Sequence, residues 1–208
     1  MRIDLYHDTV CPWCRIGKHH LDAALAAWQG PPPTVRYRPF FLDDTVPTEG
    51  LPFRDYFIRR KGIADPDPIF AQVTAVGADL GLSFHFDRVR YATNTLLSHR
   101  LLALAPAAAR GVLLDAIHRA YFEEGRDIGD PETLVDLATA VGCDRPTMRA
   151  ALLGDAARDE ILAEAAAARE LGLTGVPCVV FDDRLVVSGA QPATQLLAAM
   201  RSLALTPA

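Results

Sequence analysis

The segment Arg2-Ile3-Asp4-Leu5-Tyr6-His7-Asp8-Thr9-Val10-Cys11-Pro12-Trp13-Cys14-Arg15-Ile16-Gly17 decides the fold. Its start alternates and carries strand formers at Ile3, Leu5 and Tyr6, which predicts a strand over Arg2 to His7. Helical spacing takes over at the cysteine pair, where Ile16, Leu21, Ala24, Leu25 and Trp28 recur on one side. Gly30 and Pro31-Pro32-Pro33 stop that helix. Val35 to Phe40 alternates again and predicts a second strand. Two strands joined through a helix form a parallel β-α-β unit, because a parallel pair needs a crossover connection.

Two thiols spaced C-x-x-C at a helix start can close a small disulfide loop without unwinding the helix. The first lies where unsatisfied backbone N–H groups favour a thiolate. Such placement lowers a cysteine pKa from about 8.5 into the range of roughly 3.5–7.5. A thiolate attacks a disulfide through a mixed disulfide, and a second thiol then releases the product. This chemistry makes Cys11 the nucleophile and Cys14 the resolving thiol. Pro12 suits the first helical position, where its missing N–H costs nothing. Trp13 lies beside the sulfurs and would report their redox state. A closed zinc site needs four ligands, usually in two close pairs. Cys143 and Cys178 are single, and His19-His20 sit on the pair's own helix, so the sequence predicts no metal.

Further along, strand patterns almost vanish. Helical periodicity covers Phe53 to Lys61, Ile69 to Leu80, Thr93 to Leu104, Val112 to Glu124, Arg145 to Leu153 and Asp155 to Leu171. Leu96, Leu97, Leu101 and Leu104 are the expected apolar face of the third of these. Asp130-Pro131-Glu132 opens another helix, which Gly142 closes. Strand signals return after Gly175-Val176-Pro177. Cys178 to Phe181 and Leu185 to Ser188 flank Asp182-Asp183 as a hairpin, and Gln191-Pro192 opens a last helix. An α/β core made of residues 1–48 and 172–208, interrupted by an all-α insertion at 49–171, explains this order better than two sequential domains.

Composition excludes several functions. Half of the 208 residues are hydrophobic and 23% are charged, a balance that rules out wholesale disorder. A formal charge of −5 argues against a nucleic-acid surface. No run approaches the roughly 18 apolar residues that span a bilayer. The opening Met-Arg-Ile-Asp lacks the apolar stretch of a secretory signal. Four cysteines without such a signal do not look like a secreted disulfide framework, so a cytoplasmic location is expected.

Several motifs in order resemble the DsbA superfamily of thioredoxin-fold oxidoreductases, and most closely its FrnE-like branch. They are Asp8-Thr9-Val10-Cys11-Pro12-Trp13-Cys14 with Ile16-Gly17-Lys18, Phe40-Phe41-Leu42, Asn94-Thr95 with His99-Arg100-Leu101, Ala120-Tyr121-Phe122-Glu123, Asp127-Ile128, Gly175-Val176-Pro177 and Ser188-Gly189-Ala190-Gln191. The resemblance implies a thioredoxin-like fold, a central mixed β-sheet flanked by helices, carrying the helical insertion. It implies that Pro177 is cis and lies against the cysteine pair, leaving the backbone of Val176 open to an extended substrate. It implies that Asn94 lines a substrate cleft. It also points, through Gln191 at the start of the last helix, to glutathione as a co-substrate.

The expected activity is exchange of protein or small-thiol disulfides, with no metal or organic cofactor. No nucleic-acid or membrane partner is expected, and the chain is read as a monomer or homodimer. Two rival functions stand beside it. One is a glutathione-dependent isomerase or transferase like the kappa class and the hydroxychromene-carboxylate isomerases, which use serine where Cys11 stands and need no resolving thiol. The other is a non-enzymatic peptide-binding module. Some residues keep two readings. Cys178 is a third active-site thiol or a small buried side chain. His7 tunes Cys11 or merely ends a strand. Arg15 adds positive potential or is solvated, and Cys143 is structural or an exposed bystander.

Overall fold

The computed structural model describes residues 1–205. The elements run β1 (Arg2–His7), α1 (Pro12–Ala26), β2 (Thr34–Pro39), β3 (Leu51–Pro52) and α2 (Phe53–Asp55), which continues as a π-helical turn over Tyr56–Arg60. Then come α3 (Asp67–Asp79), β4 (Tyr91–Ala92), α4 (Leu96–Leu104), α5 (Ala107–Phe122), α6 (Pro131–Ala140) and α7 (Arg145–Leu153). The chain ends with α8 (Arg158–Glu170), β5 (Cys178–Phe181), β6 (Leu185–Ser188) and α9 (Ala193–Ala204). It divides into two compact units: Met1–Leu42 with the segment from Ala163 onward, and Asp43–Leu162. The second division falls inside α8, whereas the sequence reading sets its boundaries at 48/49 and 171/172.

In the first unit the strands form one mixed sheet in the order β2-β1-β5-β6. β1 runs parallel to β2 and antiparallel to β5, with Tyr6 opposite Cys178 and Leu5 opposite Val179. The β5–β6 turn uses Asp182 and Asp183 at positive φ, the geometry of a tight hairpin. Alternation then sorts side chains to two faces. Ile3, Leu5, Val179, Phe181 and Val187 pack against Leu21 and Ala24 of α1 and Leu196 and Met200 of α9. Tyr6 and Cys178 face the other way, with Phe40 and with Ala168 of α8. Asp4 shares that second face and is 2% exposed. A buried carboxylate needs a partner. The neighbouring strand supplies Arg36, whose Nε and Nη2 donate at 2.6 and 2.7 Å.

The second unit is helical around an aromatic core. Phe70 stacks on Phe53 at 5.3 Å and on Phe86 at 4.5 Å, and Phe122 meets Phe84 edge-on. Asp130 and Asp144 cap α6 and α7 through the Thr133 and Thr147 N–H groups, each with proline in the first turn. Three sequence expectations change here. A two-residue ladder pairs Leu51 with Ala92 and Pro52 with Tyr91, too short to show any alternation in the sequence. The Phe53 to Lys61 helix is one α-turn followed by the π turn. α4 begins at Leu96 rather than Thr93, and it buries Ser98, His99 and Arg100 beside Leu101 and Leu102; Leu96, Leu97 and Leu104 are less covered. The cause is Arg100. Its guanidinium donates to the carbonyls of Ala151 at 2.8 Å, Ala156 at 2.7 Å and Leu152 at 3.4 Å, satisfying the C-terminal end of α7 and the turn after it.

Asp43 organises the π turn. Its carboxylate accepts from the Thr45 N–H at 3.0 Å, Arg60 Nε at 3.1 Å and the Tyr56 hydroxyl at 3.3 Å, with Lys61 Nζ at 3.2 Å. Burial pushes the Asp43 carboxyl up, but the Thr45 hydrogen bonds and the Lys61 ammonium outweigh it, so the net effect is a pKa well below the usual carboxylate range. A depressed folded-state pKa stabilises the fold above the unfolded value of about 3.9, and that stability drains away as the pH falls below it. Asp43→Asn is therefore expected to lower stability by about 1 kcal/mol at pH 7, the scale of a charged hydrogen bond in a partly exposed network. The gap from the parent should close as thermal melts are taken from pH 4 towards pH 2. A gap that stays constant over that range would contradict the assignment.

Candidate active site

The site is built where β1 ends. The chain leaves His7, turns over Asp8 to Cys11 with the Cys11 N–H on the Asp8 carbonyl at 3.1 Å, and starts α1 at Pro12. Cys11 is the N-cap residue, at φ −90° and ψ 112°, and Pro12 takes the first helical position. The Cys11 carbonyl accepts from the N–H groups of Cys14 at 3.0 Å and Arg15 at 3.3 Å. No side chain caps this helix. Both sulfurs are covered, Cys11 at 3% exposure and Cys14 at 0%. Burial pushes the Cys14 thiol well above its ordinary pKa, and its hydrogen bond to Cys11 adds to the shift. Pro12 and Trp13 are half-buried on the first turn.

The loop before β5 comes to the same place. The Val176–Pro177 bond is cis. The Cys11 thiol donates to the Val176 carbonyl at 3.7 Å. The Pro177 carbonyl accepts from the Gly189 N–H at 2.8 Å, which ties this loop to the end of β6. On the helix side, Gly17 faces the proline. A Cβ at residue 17 would stand 2.7 Å from Pro177 Cγ, 3.1 Å from Pro177 Cβ and 3.6 Å from the Ala190 Cα. The absent side chain is thus what lets the cis-proline loop approach α1. Sequence reasoning gave Gly17 no role of its own, although a glycine inside a regular helix costs about 1 kcal/mol against alanine and so carries a signal. An open groove of about 360 Å³ runs along Gly172–Cys178 and the neighbouring end of β6.

The structure brings Cys11, Cys14, Val176 and Pro177 together, all within the first unit. Gln191 differs from expectation. α9 begins at Ala193 with Pro192 as its N-cap, and Gln191 lies in the preceding turn, its side-chain amide donating to the Ser188 carbonyl at 3.0 Å. A proline N-cap with extended backbone forces the helix to start after it. Asn94 belongs to the helical unit and precedes α4. Its amide donates to the Val46 carbonyl at 2.6 Å and accepts from the Leu96 N–H at 3.0 Å.

Cys178 follows Pro177, but strand alternation turns it to the sheet face opposite α1, where it packs beside Tyr6, Phe40 and Ala168. Burial pushes its thiol up, opposed in part by a hydrogen bond with Ser188. It behaves as a small buried side chain. Arg15, 8% exposed, is not a solvated arginine, and His7, 1% exposed, sets its ring edge-on to Tyr37. Cys143 is buried in the helical unit. Among the described residues, no group of three or more His, Cys, Asp or Glu side chains is arranged to hold a metal ion, and no helix is long and apolar enough to cross a membrane.

The chain belongs to the DSBA-like thioredoxin domain family, whose pattern matches residues 2–201. It is similar to the crystal structure of the probable DsbA oxidoreductase SCO1869 from Streptomyces coelicolor, at 33% identity and a TM-score of 0.90 over 100% of this chain and 92% of that one. Two more distant structures share the fold. One is the cytosolic disulfide reductase DsbM from Pseudomonas aeruginosa with GSH, at 21% identity and a TM-score of 0.69 over 97% and 100% of the chains. The other is a 2-hydroxychromene-2-carboxylate isomerase, at 21% identity and a TM-score of 0.71 over 98% and 96%. The family match and the likeness to SCO1869 define the class as DsbA-like oxidoreductase, while the two more distant structures add the fold alone.

Gly17→Ala tests the approach of loop to helix. At an exposed helix position this change stabilises by up to about 1 kcal/mol. At residue 17 the new methyl meets a rigid ring, and overpacking of this kind costs about 1–3 kcal/mol. Denaturant unfolding should show a net loss, and alkylation of Cys11 by iodoacetamide should change rate as Val176 is displaced. A variant more stable than the parent, with unchanged alkylation, would contradict this account.

Proposed function

We propose that the protein is a thiol–disulfide oxidoreductase or isomerase of DsbA/FrnE type. It acts through the Cys11–Cys14 dithiol on disulfides of proteins or small thiols, with glutathione as a co-substrate and no metal or organic cofactor. The observation that carries this reading is the contact of the Cys11 sulfur, at the start of α1, with the Val176 carbonyl beside cis Pro177.

In the reducing direction Cys11 thiolate attacks a substrate disulfide R–S–S–R′. The S–S bond breaks, R′S⁻ leaves and takes a proton, and Cys11–S–S–R remains. Cys14 then attacks the Cys11 sulfur, releases RS⁻ and leaves the Cys11–Cys14 disulfide, so two electrons pass from protein to substrate. Two molecules of glutathione return those electrons and leave as glutathione disulfide. Run backwards, the same steps oxidise a substrate dithiol. Stopping at the mixed disulfide and returning the substrate isomerises it. Which direction dominates depends on the dithiol's potential against that of its surroundings. A cytosolic setting, like that of the disulfide reductase DsbM, favours reductase or isomerase work. The groove beside the cis-proline loop suits an extended polypeptide. Trp13 and Pro12 tune the pair from the first turn, while Asn94 and Gln191 are proposed substrate contacts.

The deciding experiment is a glutathione redox titration of the purified protein. It is followed by tryptophan fluorescence and by the mass of alkylated protein, with Cys14→Ser as control. The expected result is one two-electron transition that disappears in Cys14→Ser, together with accumulation of a Cys11 mixed disulfide in that variant. If both thiols stay free across the whole series, the redox reading fails. In that case the glutathione-dependent isomerase reading, which the likeness to the chromene-carboxylate isomerase supports, takes its place.

A further inference from the structure

The sheet order β2-β1-β5-β6 leaves β2 and β6 as edge strands. An edge presents a row of N–H and C=O groups with no strand beyond it, and proteins guard such edges with charged side chains and proline. β2 is guarded in this way: it carries Arg36 and Arg38 and ends at Pro39. β6 reads Leu185-Val186-Val187-Ser188, with no charge and no proline, and Val186 is 57% exposed. The unguarded edge is the one that a partner strand can cover.

We propose that β6 is the edge on which a second copy of this chain docks, β6 against β6, antiparallel, with Val186 opposite Val186. The Gly189 N–H on the Pro177 carbonyl at 2.8 Å, with the register of β5 against β6, fixes which backbone groups of β6 turn inward. Residues 185, 187 and 189 face β5, so the N–H and C=O of Val186 and of Ser188 point away from the sheet. The Ser188 carbonyl is already taken, because it accepts from the Gln191 side-chain amide at 3.0 Å. With Val186 opposite Val186, the two copies exchange N–H···O=C bonds at that residue. Each Ser188 N–H then faces the Arg184 carbonyl of the other copy. The capped Ser188 carbonyl needs nothing in return, because the Arg184 N–H is turned inward onto the Phe181 carbonyl at 2.9 Å. An ordinary extended peptide would bring an N–H to that capped carbonyl and leave it unpaired. A second β6 is therefore the better fit. Placing Val187 opposite Val187 instead would aim the Val186 N–H at the position the Gln191 amide holds.

Side chains of directly opposed residues share a face. The two Val186 side chains therefore meet on the face that bears Cys178, where Val186 and Ser188 also line the groove beside the cis-proline loop. The second copy adds a valine to the rim of that groove. No charged side chain lines it, so no like charges oppose the approach. The contact is short, at four residues a strand, and belongs with the weak, exchanging interfaces below about 1,200 Å².

The test is sedimentation velocity of the reduced full-length protein from about 5 to about 500 µM, a range that reveals a Kd between roughly 1 µM and 1 mM. The expected result is an average mass that climbs with concentration towards twice that of the monomer. Val186→Lys sets like charges opposite each other at an exposed position, and should move the midpoint at least about 10-fold higher. Thr34→Lys, on the β2 edge, should leave it in place. The register has its own readout. Val186→Cys in a Cys11→Ser, Cys14→Ser background should form a covalent dimer under mild oxidant, because opposed Cα atoms of a hydrogen-bonded pair lie about 5.5 Å apart, within disulfide reach. Thr34→Cys in the same background should not. A parent that stays monomeric throughout overturns the proposal, and so does a dimer that Val186→Lys leaves unmoved or that Val186→Cys does not trap. Should Val186→Lys not fold, the parent series and the cross-link decide. None of these outcomes depends on the Cys11–Cys14 chemistry.

Discussion

The whole site hangs on how near the Val176–Pro177 loop can come to the first turns of α1. Pro177 is a rigid ring and α1 is a regular helix, so neither yields easily. Contact is possible because residue 17 has no Cβ, leaving the ring to fill the space a methyl would take. The carbonyl of Val176 then reaches the Cys11 sulfur, and the Gly189 N–H holds the far side of the loop. The sheet sets the same distance from the other direction. β1 leads into Cys11 and β5 leads out of Pro177, and the two are hydrogen-bonded neighbours with Tyr6 opposite Cys178. The register of one antiparallel pair therefore delivers Cys11 and the cis-proline to the same end of the sheet. A shift of one residue would send every side chain of β5 to the wrong face.

The same alternation separates the thiols. Cys11 and Cys14 lie at the head of α1, whose apolar side covers the face with Leu5, Val179 and Phe181. Cys178, one residue beyond Pro177, is carried to the other face among Tyr6, Phe40 and Ala168. Proximity in sequence to the cis-proline thus does not make Cys178 a partner of the dithiol. Period two in a strand can place adjacent residues in unrelated environments.

Much of this was legible in the residues because it depends on local periodicity. The β-α-β start, the hairpin at Asp182-Asp183 and the helical middle follow from alternation, turn chemistry and apolar spacing. The helix start at Cys11-Pro12 follows from proline's fit to the first helical position. What escaped depends on long-range partners. Leucine spacing points the leucines of α4 inward, but Arg100 is buried there by carbonyls some fifty residues away at the end of α7. The β3–β4 ladder has no periodicity to detect at two residues a strand. Gln191 precedes a helix whose start Pro192 delays to Ala193. Gly17 stood in plain sight within the decisive segment. Its significance lies in what faces it across the fold, namely Pro177.

The two members of the pair meet different physical demands within one helical turn. Cys11 sits at the N-cap, where no side chain caps the first turn and its thiol reaches the Val176 carbonyl. Cys14 lies inside, where burial pushes its thiol up and holds the proton in place, and on the proposed mechanism it ionises only once a mixed disulfide stands next to it. That division suits exchange chemistry. A resolving thiol that ionised freely would close the disulfide before a substrate could rearrange, whereas one that never ionised would leave the enzyme trapped. On the proposed mechanism, the balance between reductase and isomerase behaviour rests on how fast Cys14 ionises beside the mixed disulfide compared with dissociation of the substrate thiol.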